Sequence, residues 1–214
     1  MSYSRKPGPV DESHDSESAS PMAPDTTSGD SGPVGMKGGG GTCGGAPRLS
    51  GWPRSIAWRG DFPDEREERP PGEDEDAQIH SEAVLDDDVS VCRSDGRFRL
   101  GSFGVRLRVV PDDTWVVRSA KSDALLAHEQ GHFDISGIDA RQLMNDLAAL
   151  RADTTDELQR LVSARIERSR TEAQAMSDRY DTETNHSRNA DVQRRWETAI
   201  REAIDGNHAL RPPA

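Results

Sequence analysis

Two histidines four positions apart, His128 and His132, enclose a glutamate at position 129. Residues at this spacing share one face of a helix, so both imidazoles can bind one zinc ion. Glu129 then lies beside the open position of the metal, where a carboxylate can take a proton from a bound water molecule. The H-E-x-x-H pattern therefore predicts zinc-assisted hydrolysis of an amide, with Glu129 as general base. The alternative is a pair of ordinary hydrogen-bonded histidines.

The sequence around the motif favours a helix. Ser122 and Asp123 can cap its first turn, and the run from Ala124 to Leu150 contains no proline. Apolar residues at helical spacing predict a core face, formed by Leu126, Phe133, Ala140, Met144 and Leu147. An adjacent stripe predicts the wall of a site, formed by Leu125, His128, Glu129, His132 and Asp139.

Strands precede this helix and further helices follow it. Apolar and polar residues alternate from Val89 to Val117, which predicts a short antiparallel sheet whose last strand leads into the helix. After Leu150, capping residues begin a charged helix to about Ser177, and a closing helix contains Trp196. Strands first and helices afterwards indicate an α+β fold.

Composition bounds the organisation of the chain. The 214 residues carry a net charge of −12, which argues against nucleic acid as the partner, and no apolar run is long enough for a membrane span. Residues 1–50 are rich in Gly, Ser, Pro and Asp and predict a disordered leader. We therefore expect a domain at 51–205 and a flexible tail at 206–214. Cys43 and Cys92 allow one disulfide, and their pairing is left open.

A catalytic zinc site needs a third protein ligand, which the helix itself does not supply. A polar segment from Tyr180 to Asn189 is predicted to separate the last two helices. His186 in this segment is the first candidate for the ligand, Asp181 is the second, and His80 is the fallback. Tyr180 can donate to a developing oxyanion, although a packed aromatic is an equal interpretation.

Two acidic residues of the motif helix, Asp134 and Asp139, are candidates to hold the N–H groups of the ligands. For Asp134, a solvated position on the helix surface is the favoured interpretation. The charged stretch from Asp64 to Asp76 is predicted to be a solvated loop.

The segment Leu125 to Ile135, read as LLAHEQGHFDI, resembles the bacterial DUF922 group of predicted secreted zinc-dependent proteases. Further segments are similar to the same family at 56–62, at 114–116 and at 180–186, together with Gln193 and Trp196. The resemblance covers about residues 52–205. It implies a zincin-like fold, one zinc ion, a peptide or protein substrate and a secreted or periplasmic location.

The chain departs from the family pattern in two places. Ser187 follows His186 where the family usually has glycine, and the acidic, Ser-rich start contains no apolar signal segment. Two other functions stay open from the residues alone: a non-catalytic interaction module held together by zinc, and a zinc hydrolase of a non-peptide amide.

Overall fold

The computed structural model describes Lys37 and Gly38 and then residues 43–213. The strands are β1 Lys37–Gly38, β2 Arg48–Ser50, β3 Asp64–Arg66, β4 Ala77–Gln78, β5 Ser81–Leu85, β6 Ser90–Ser94, β7 Arg97–Leu100, β8 Gly104–Val109 and β9 Trp115–Val117. The helices are the short α1 Trp58–Asp61, α2 Asp123–Ala149, α3 Thr155–Thr184 and α4 Ala190–Asp205. Strands followed by long helices confirm the predicted α+β class.

The strands form three small sheets, in the orders β1-β6-β7, β2-β8-β5 and β3-β9-β4. Each central strand has one parallel and one antiparallel neighbour. In the second sheet, for example, Val105 of β8 lies opposite both Leu49 and Leu85. The small mixed sheets agree with the predicted fold class, whereas the antiparallel pairing of consecutive strands holds for β6 and β7. Alternation of apolar residues identifies a strand, but its partner is set by distant chain segments.

Helix α2 lies at the centre of the fold and carries the H-E-x-x-H segment. Its N-cap is Ser122, as predicted, whose Oγ accepts a hydrogen bond from the Leu125 amide at 3.2 Å. The helix packs against α3, α4, β5 and β8. Contacts on so many sides explain why Phe133, Ala140 and Leu147 of the predicted core face are fully buried.

The folded part of the chain begins before residue 51. Cys43 forms a disulfide with Cys92 of β6, and β2 pairs with β8. Residues 43–50 of the predicted leader are thus structured, whereas 1–36 and 39–42 lie outside the described residues. Part of the predicted tail also has defined contacts, because Arg141 of α2 donates to the carbonyl of His208 at 2.8 Å.

Helix α3 is longer than predicted. It continues past Ser177 to Thr184, so Tyr180 and Asp181 are helical and the break between α3 and α4 covers only 185–189. The residues from 177 to 184 are polar but include neither glycine nor proline, so nothing in them ends a helix. No helix in the described part of the chain is long and apolar enough to cross a membrane.

The charged stretch from Asp64 to Asp76, predicted to be a solvated loop, is anchored at both ends. Its first residues form β3, which pairs with β9. At its other end the carbonyl of Asp76 accepts from the Val117 amide at 2.8 Å, and the Asp74 carbonyl accepts from Arg188 at 2.6 Å. These contacts bring the acidic loop to the break after α3.

Candidate metal centre and cavity

Three candidate ligand atoms converge between α2 and α3. Asp181 Oδ1 lies 2.8 Å from His132 Nε2 and 3.0 Å from His128 Nε2, and the two Nε2 atoms are 3.2 Å apart. The histidines come from adjacent turns of α2, and the aspartate comes from the facing side of α3. The structure therefore gathers His128, His132 and Asp181 at one point.

Helix α4 fixes the tautomer of His128 through Gln193. The Gln193 Nε2 group donates to Glu197 Oε1 at 3.1 Å and to Tyr180 Oη at 2.6 Å. A carboxylate only accepts, so the amide oxygen must be the atom 3.1 Å from His128 Nδ1. His128 thus carries its proton on Nδ1. A neutral His128 then directs the lone pair of Nε2 towards Asp181.

Asp181 and the imidazoles strongly influence one another's protonation. Burial alone would raise the pKa of Asp181, but its contacts with His128 and His132 hold it well below its ordinary value. Burial alone would lower the pKa of His132, but Asp181 and nearby carboxylates outweigh burial and raise it. His132 Nδ1 lies 2.6 Å from Ser177 Oγ. The aspartate is ionised, and the donor atoms facing it require a positive charge between them.

Two nitrogens and one carboxylate oxygen form a donor set suited to a divalent transition metal. The lone pair of His128 Nε2 and the ionised oxygen of Asp181 repel each other unless a proton or a cation lies between them. The outward hydrogen bonds of both Nδ1 atoms hold the rings in the orientation that ligation needs. The residues present therefore fit a bound metal cation.

Glu129 is nearly inaccessible to solvent and lies beside these groups. Its Oε2 accepts a hydrogen bond from the Ile79 amide at 2.8 Å, which leaves Oε1 available to hold a proton. Burial raises the pKa of Glu129, against the opposing charges of His132 and His128. A carboxylate with a raised pKa is suited to proton transfer near neutral pH.

A cavity of about 350 Å³ opens onto this cluster. Glu129, His132 and Asp181 form one end of it. From there it runs between α2 and α3 to Asp139, with residues of β5 along one side. Three predicted site residues therefore line a single accessible space.

His186, the first candidate for the third ligand, lies farther from the histidines of α2 than Asp181 does. Its Nδ1 is 3.0 Å from Glu75 Oε1 and 3.8 Å from Asp181 Oδ1, and its Nε2 is 3.7 Å from Asp74 Oδ2. It belongs to a separate group with Asp74 and Glu75. On geometry, Asp181 rather than His186 is grouped with the two histidines of α2, so the structure favours the second candidate for the third ligand over the first.

The backbone that carries His186 has an unusual conformation. Asn185, His186 and Ser187 all have positive φ values, of 50°, 49° and 67°. Such left-handed conformations favour glycine, which explains why the departure at Ser187 matters. The strain is offset by backbone hydrogen bonds, including His186 N–H to the Asp181 carbonyl at 3.1 Å.

Tyr180 does not reach the cavity. Its ring stacks on His128 at a centroid distance of 4.6 Å, and its hydroxyl donates to the His128 carbonyl at 3.3 Å. The side chain is fully buried, and burial raises its pKa far above the ordinary value. The structure supports the packed-aromatic interpretation, in which Tyr180 positions His128, and the role as oxyanion donor is corrected.

The other candidates occupy different places. Asp134 accepts hydrogen bonds from Trp52 and Gln130 at 2.8 and 3.0 Å, so it anchors the segment before α1 and touches neither imidazole. Asp139 lines the cavity and accepts from Ser169, so it too does not orient the ligands. His80 borders the cavity without joining the ligand group.

Sequence reasoning assigned no role to three groups of the site, namely Glu75, Ser177 and Gln193. Ser177 lies one turn before Asp181, and this spacing is a signal once α3 is known to be continuous. Glu75 stands in an acidic run that resembles an ordinary solvated surface. Burial raises its pKa, together with the charge of Asp181.

A family model matches residues 112–187: DUF922, described as a bacterial protein of unknown function. This match supports the family that the motif segments predict. The matched region contains both histidines, Glu129, Asp181 and His186, whereas Gln193 lies outside it. No curated protein and no solved structure matches the chain.

Proposed function

We propose that the protein is a zinc-dependent peptidase. The observation that carries this proposal is the position of Glu129, a buried carboxylate beside the converging atoms of His128, His132 and Asp181 at the end of a cavity. A zinc ion held by those three side chains would supply a Lewis acid and lower the pKa of water towards neutrality.

The distances between the donor atoms support zinc. Zinc bonds near 2.0 to 2.1 Å at tetrahedral angles separate neighbouring donors by roughly 3.3 Å. The observed separations of 2.8, 3.0 and 3.2 Å require only a small outward shift of the side chains. The set of three protein ligands is typical of catalytic rather than structural zinc sites, which use four.

The remaining chemistry belongs to residues of the chain. Glu129 Oε1 accepts a proton from water and returns it to the leaving amine, while the Ile79 amide holds Oε2 in place. Strand β5 is at an edge of its sheet, and Ser81, Glu82 and Ala83 line the cavity. An extended peptide can add to such an edge through main-chain hydrogen bonds, which favours a peptide as the substrate.

The non-catalytic alternative is an interaction module with zinc held by four ligands. The proximity of His186 to Asp181 favours it, but His186 also lies between Asp74 and Glu75, which hold it away from the α2 histidines. Two results together would support this module. The zinc-loaded protein would cleave no peptide, and X-ray absorption spectroscopy at the zinc edge would show four protein ligands.

Replacing Glu129 by Gln tests the peptidase proposal. Glu129→Gln should keep one zinc per chain, because the residue is not a ligand, while kcat for peptide cleavage falls by about 10² to 10⁴. His128→Ala is the comparison variant and should lose both zinc and activity. Zinc content is measured by mass spectrometry of metals, and cleavage with a mixed peptide library. An unchanged kcat in Glu129→Gln would refute the assigned role.

A further inference from the structure

The end of the cavity away from Glu129 contains a carboxylate without a cationic partner. Asp139 lies seven residues after His132, so its position is two helical turns, or about 10 Å, along the same face of α2. Its side chain accepts a hydrogen bond from Ser169 of α3, and no ion pair joins it to any residue in the described part of the chain.

The neighbouring cation does not neutralise Asp139. The charge of Arg165 acts on it, but Arg165 binds Asp146 at 2.7 Å and Glu172 at 3.2 Å. The single positive charge of Arg165 is therefore shared among Asp139, Asp146 and Glu172. By contrast, Glu82 at the side of the cavity is paired with Arg108. Asp139 is half-buried, and carboxylates withdrawn from water are normally paired, so its environment can accommodate a further positive group.

Apolar side chains form part of the walls near Asp139, together with polar ones such as Ser169. Leu143 of α2 is almost fully buried, Ile166 of α3 is 9 % exposed, and both line the cavity together with Ala173. A passage with aliphatic side chains in its walls and a carboxylate at its end matches a lysine or arginine side chain, which has an aliphatic stem and a charged tip. A neutral apolar side chain would leave the carboxylate without a cationic partner.

The rest of the cavity reinforces this preference. Seven carboxylates line it, and Arg170, the arginine among its lining residues, is itself bound to Glu167 at 2.8 Å. An acidic cleft attracts cations and repels acidic peptides. The cavity therefore favours cationic peptides in two ways: its charge speeds their association, and Asp139 binds the cationic side chain that enters the passage.

We propose that Asp139 is a specificity-determining residue that binds the ammonium or guanidinium group of a lysine or arginine in the substrate. This inference rests on the proposed peptidase function and names its substrate class. The lysine or arginine would occupy the passage between α2 and α3, while the peptide bond next to it lies at Glu129.

The test compares matched peptides that differ in one side chain: lysine, arginine, norleucine or glutamate. Norleucine keeps the aliphatic stem of lysine and removes its charge. With zinc-loaded protein, we expect kcat/KM to be at least tenfold higher for lysine or arginine than for norleucine, and lowest for glutamate. Equal kcat/KM values for lysine and norleucine would overturn the proposal without any variant.

A binding measurement separates this inference from the peptidase proposal. Fluorescence anisotropy of labelled peptides on the metal-free full chain should show the lysine peptide binding five- to tenfold more tightly than the norleucine peptide. If that preference is present but zinc-loaded protein cleaves nothing, the peptidase function fails and the cationic subsite stands. If cleavage occurs without any preference for lysine, the subsite fails and the peptidase stands.

Asp139→Asn assigns the preference to one residue. This variant keeps the shape and an oxygen for Ser169 and should lose the lysine advantage, so that its kcat/KM values for the lysine and norleucine peptides differ by less than twofold. Asp87→Asn, which removes an exposed carboxylate outside the cavity, should retain the full advantage. A lysine advantage that persists in folded Asp139→Asn would exclude Asp139 as the determinant.

Discussion

Gln193 Oε1 lies 3.1 Å from His128 Nδ1, so a residue of α4 determines how a histidine of α2 presents its other nitrogen. The contact joins two helices that are 65 residues apart in sequence and is completely buried. Gln193 itself is held by Tyr180 and by Glu197, and the Glu197 carboxylate, which can only accept, fixes the orientation of the Gln193 amide. The tautomer of His128 is therefore a property of the helix packing.

Replacing Gln193 by Leu should weaken zinc binding without removing a ligand. The side chain keeps its approximate volume, but His128 loses the acceptor that fixes its Nδ1 proton, so affinity should fall by about 10- to 100-fold. Competition with a chromophoric chelator measures this change. Gln142→Leu is the control, because Gln142 bonds only to Asp146 on the same helix. Equal zinc affinities in the two variants would show that Gln193 does not orient the ligand.

Replacing Gly131 by Ala should destabilise the fold. A Cβ at this position would lie 2.6 Å from Tyr180 Cζ, and the tyrosine is fully buried and cannot move aside. Alanine gains about 1 kcal/mol in helix propensity, but overpacking against a fixed ring costs about 1 to 3 kcal/mol, so we expect a net loss.

The free energy of unfolding in urea measures the effect of Gly131→Ala. Thr171→Ala is its control, since Thr171 is exposed on α3 and its hydroxyl bonds only to a carbonyl of its own helix. A Gly131→Ala variant as stable as the parent would mean that α2 and α3 can separate locally at little cost.

Asp181 and His186 should respond differently to substitution, because only Asp181 touches both histidines of α2. Asp181→Asn removes the charge that faces the cation, and zinc affinity should fall by more than about 100-fold. His186→Ala removes a neighbour of Asp181, and we expect a loss of about tenfold or less. Both affinities are measured at one fixed pH, so that any difference comes from the substitution. The reverse order would restore His186 as the ligand.

Much of the motif helix could be predicted because its signals are local. The cap at Ser122 and the buried positions Phe133 and Leu147 follow from turn-by-turn spacing. Sequence patterns of this kind identify helices and their inner faces without knowledge of the partner.

Asp181 was predicted only as the second candidate for the third ligand, because two signals in the sequence favour His186 and are misleading. Polar composition suggested a break at Tyr180, although nothing stops the helix before Thr184, and imidazole chemistry favoured His186 over a carboxylate. On a continuous α3, Asp181 follows Ser177 by one turn and faces α2, whereas His186 lies beyond the helix end. Likewise, the position of Glu75 depends on contacts of the acidic loop with Val117 and Arg188, which no local pattern reports.

Asp139 should make stability depend on pH in the opposite direction to an ion-paired carboxylate. Burial raises its pKa from 3.8 to about 6, against the hydrogen bond from Ser169 and the charge of Arg165. Between these two values the folded state binds more protons than the unfolded state, so the free energy of unfolding falls as pH rises from about 4 to 6. Above pH 6 the full cost of the buried charge is present.

Asp139→Asn removes that cost. The variant should be more stable than the parent by about 1 to 3 kcal/mol at pH 8 and about equally stable at pH 4. Urea unfolding of both metal-free proteins across this pH range gives the difference between their free energies of unfolding. The histidines titrate in both proteins, so their contribution cancels in this difference. Asp87→Asn, an exposed position, should show a difference near zero at every pH. Only an ionising carboxylate makes the difference in the free energy of unfolding grow between pH 4 and pH 6. Equal stabilisation of Asp139→Asn at pH 4 and pH 8 would therefore show that the substitution acts through packing and not through charge.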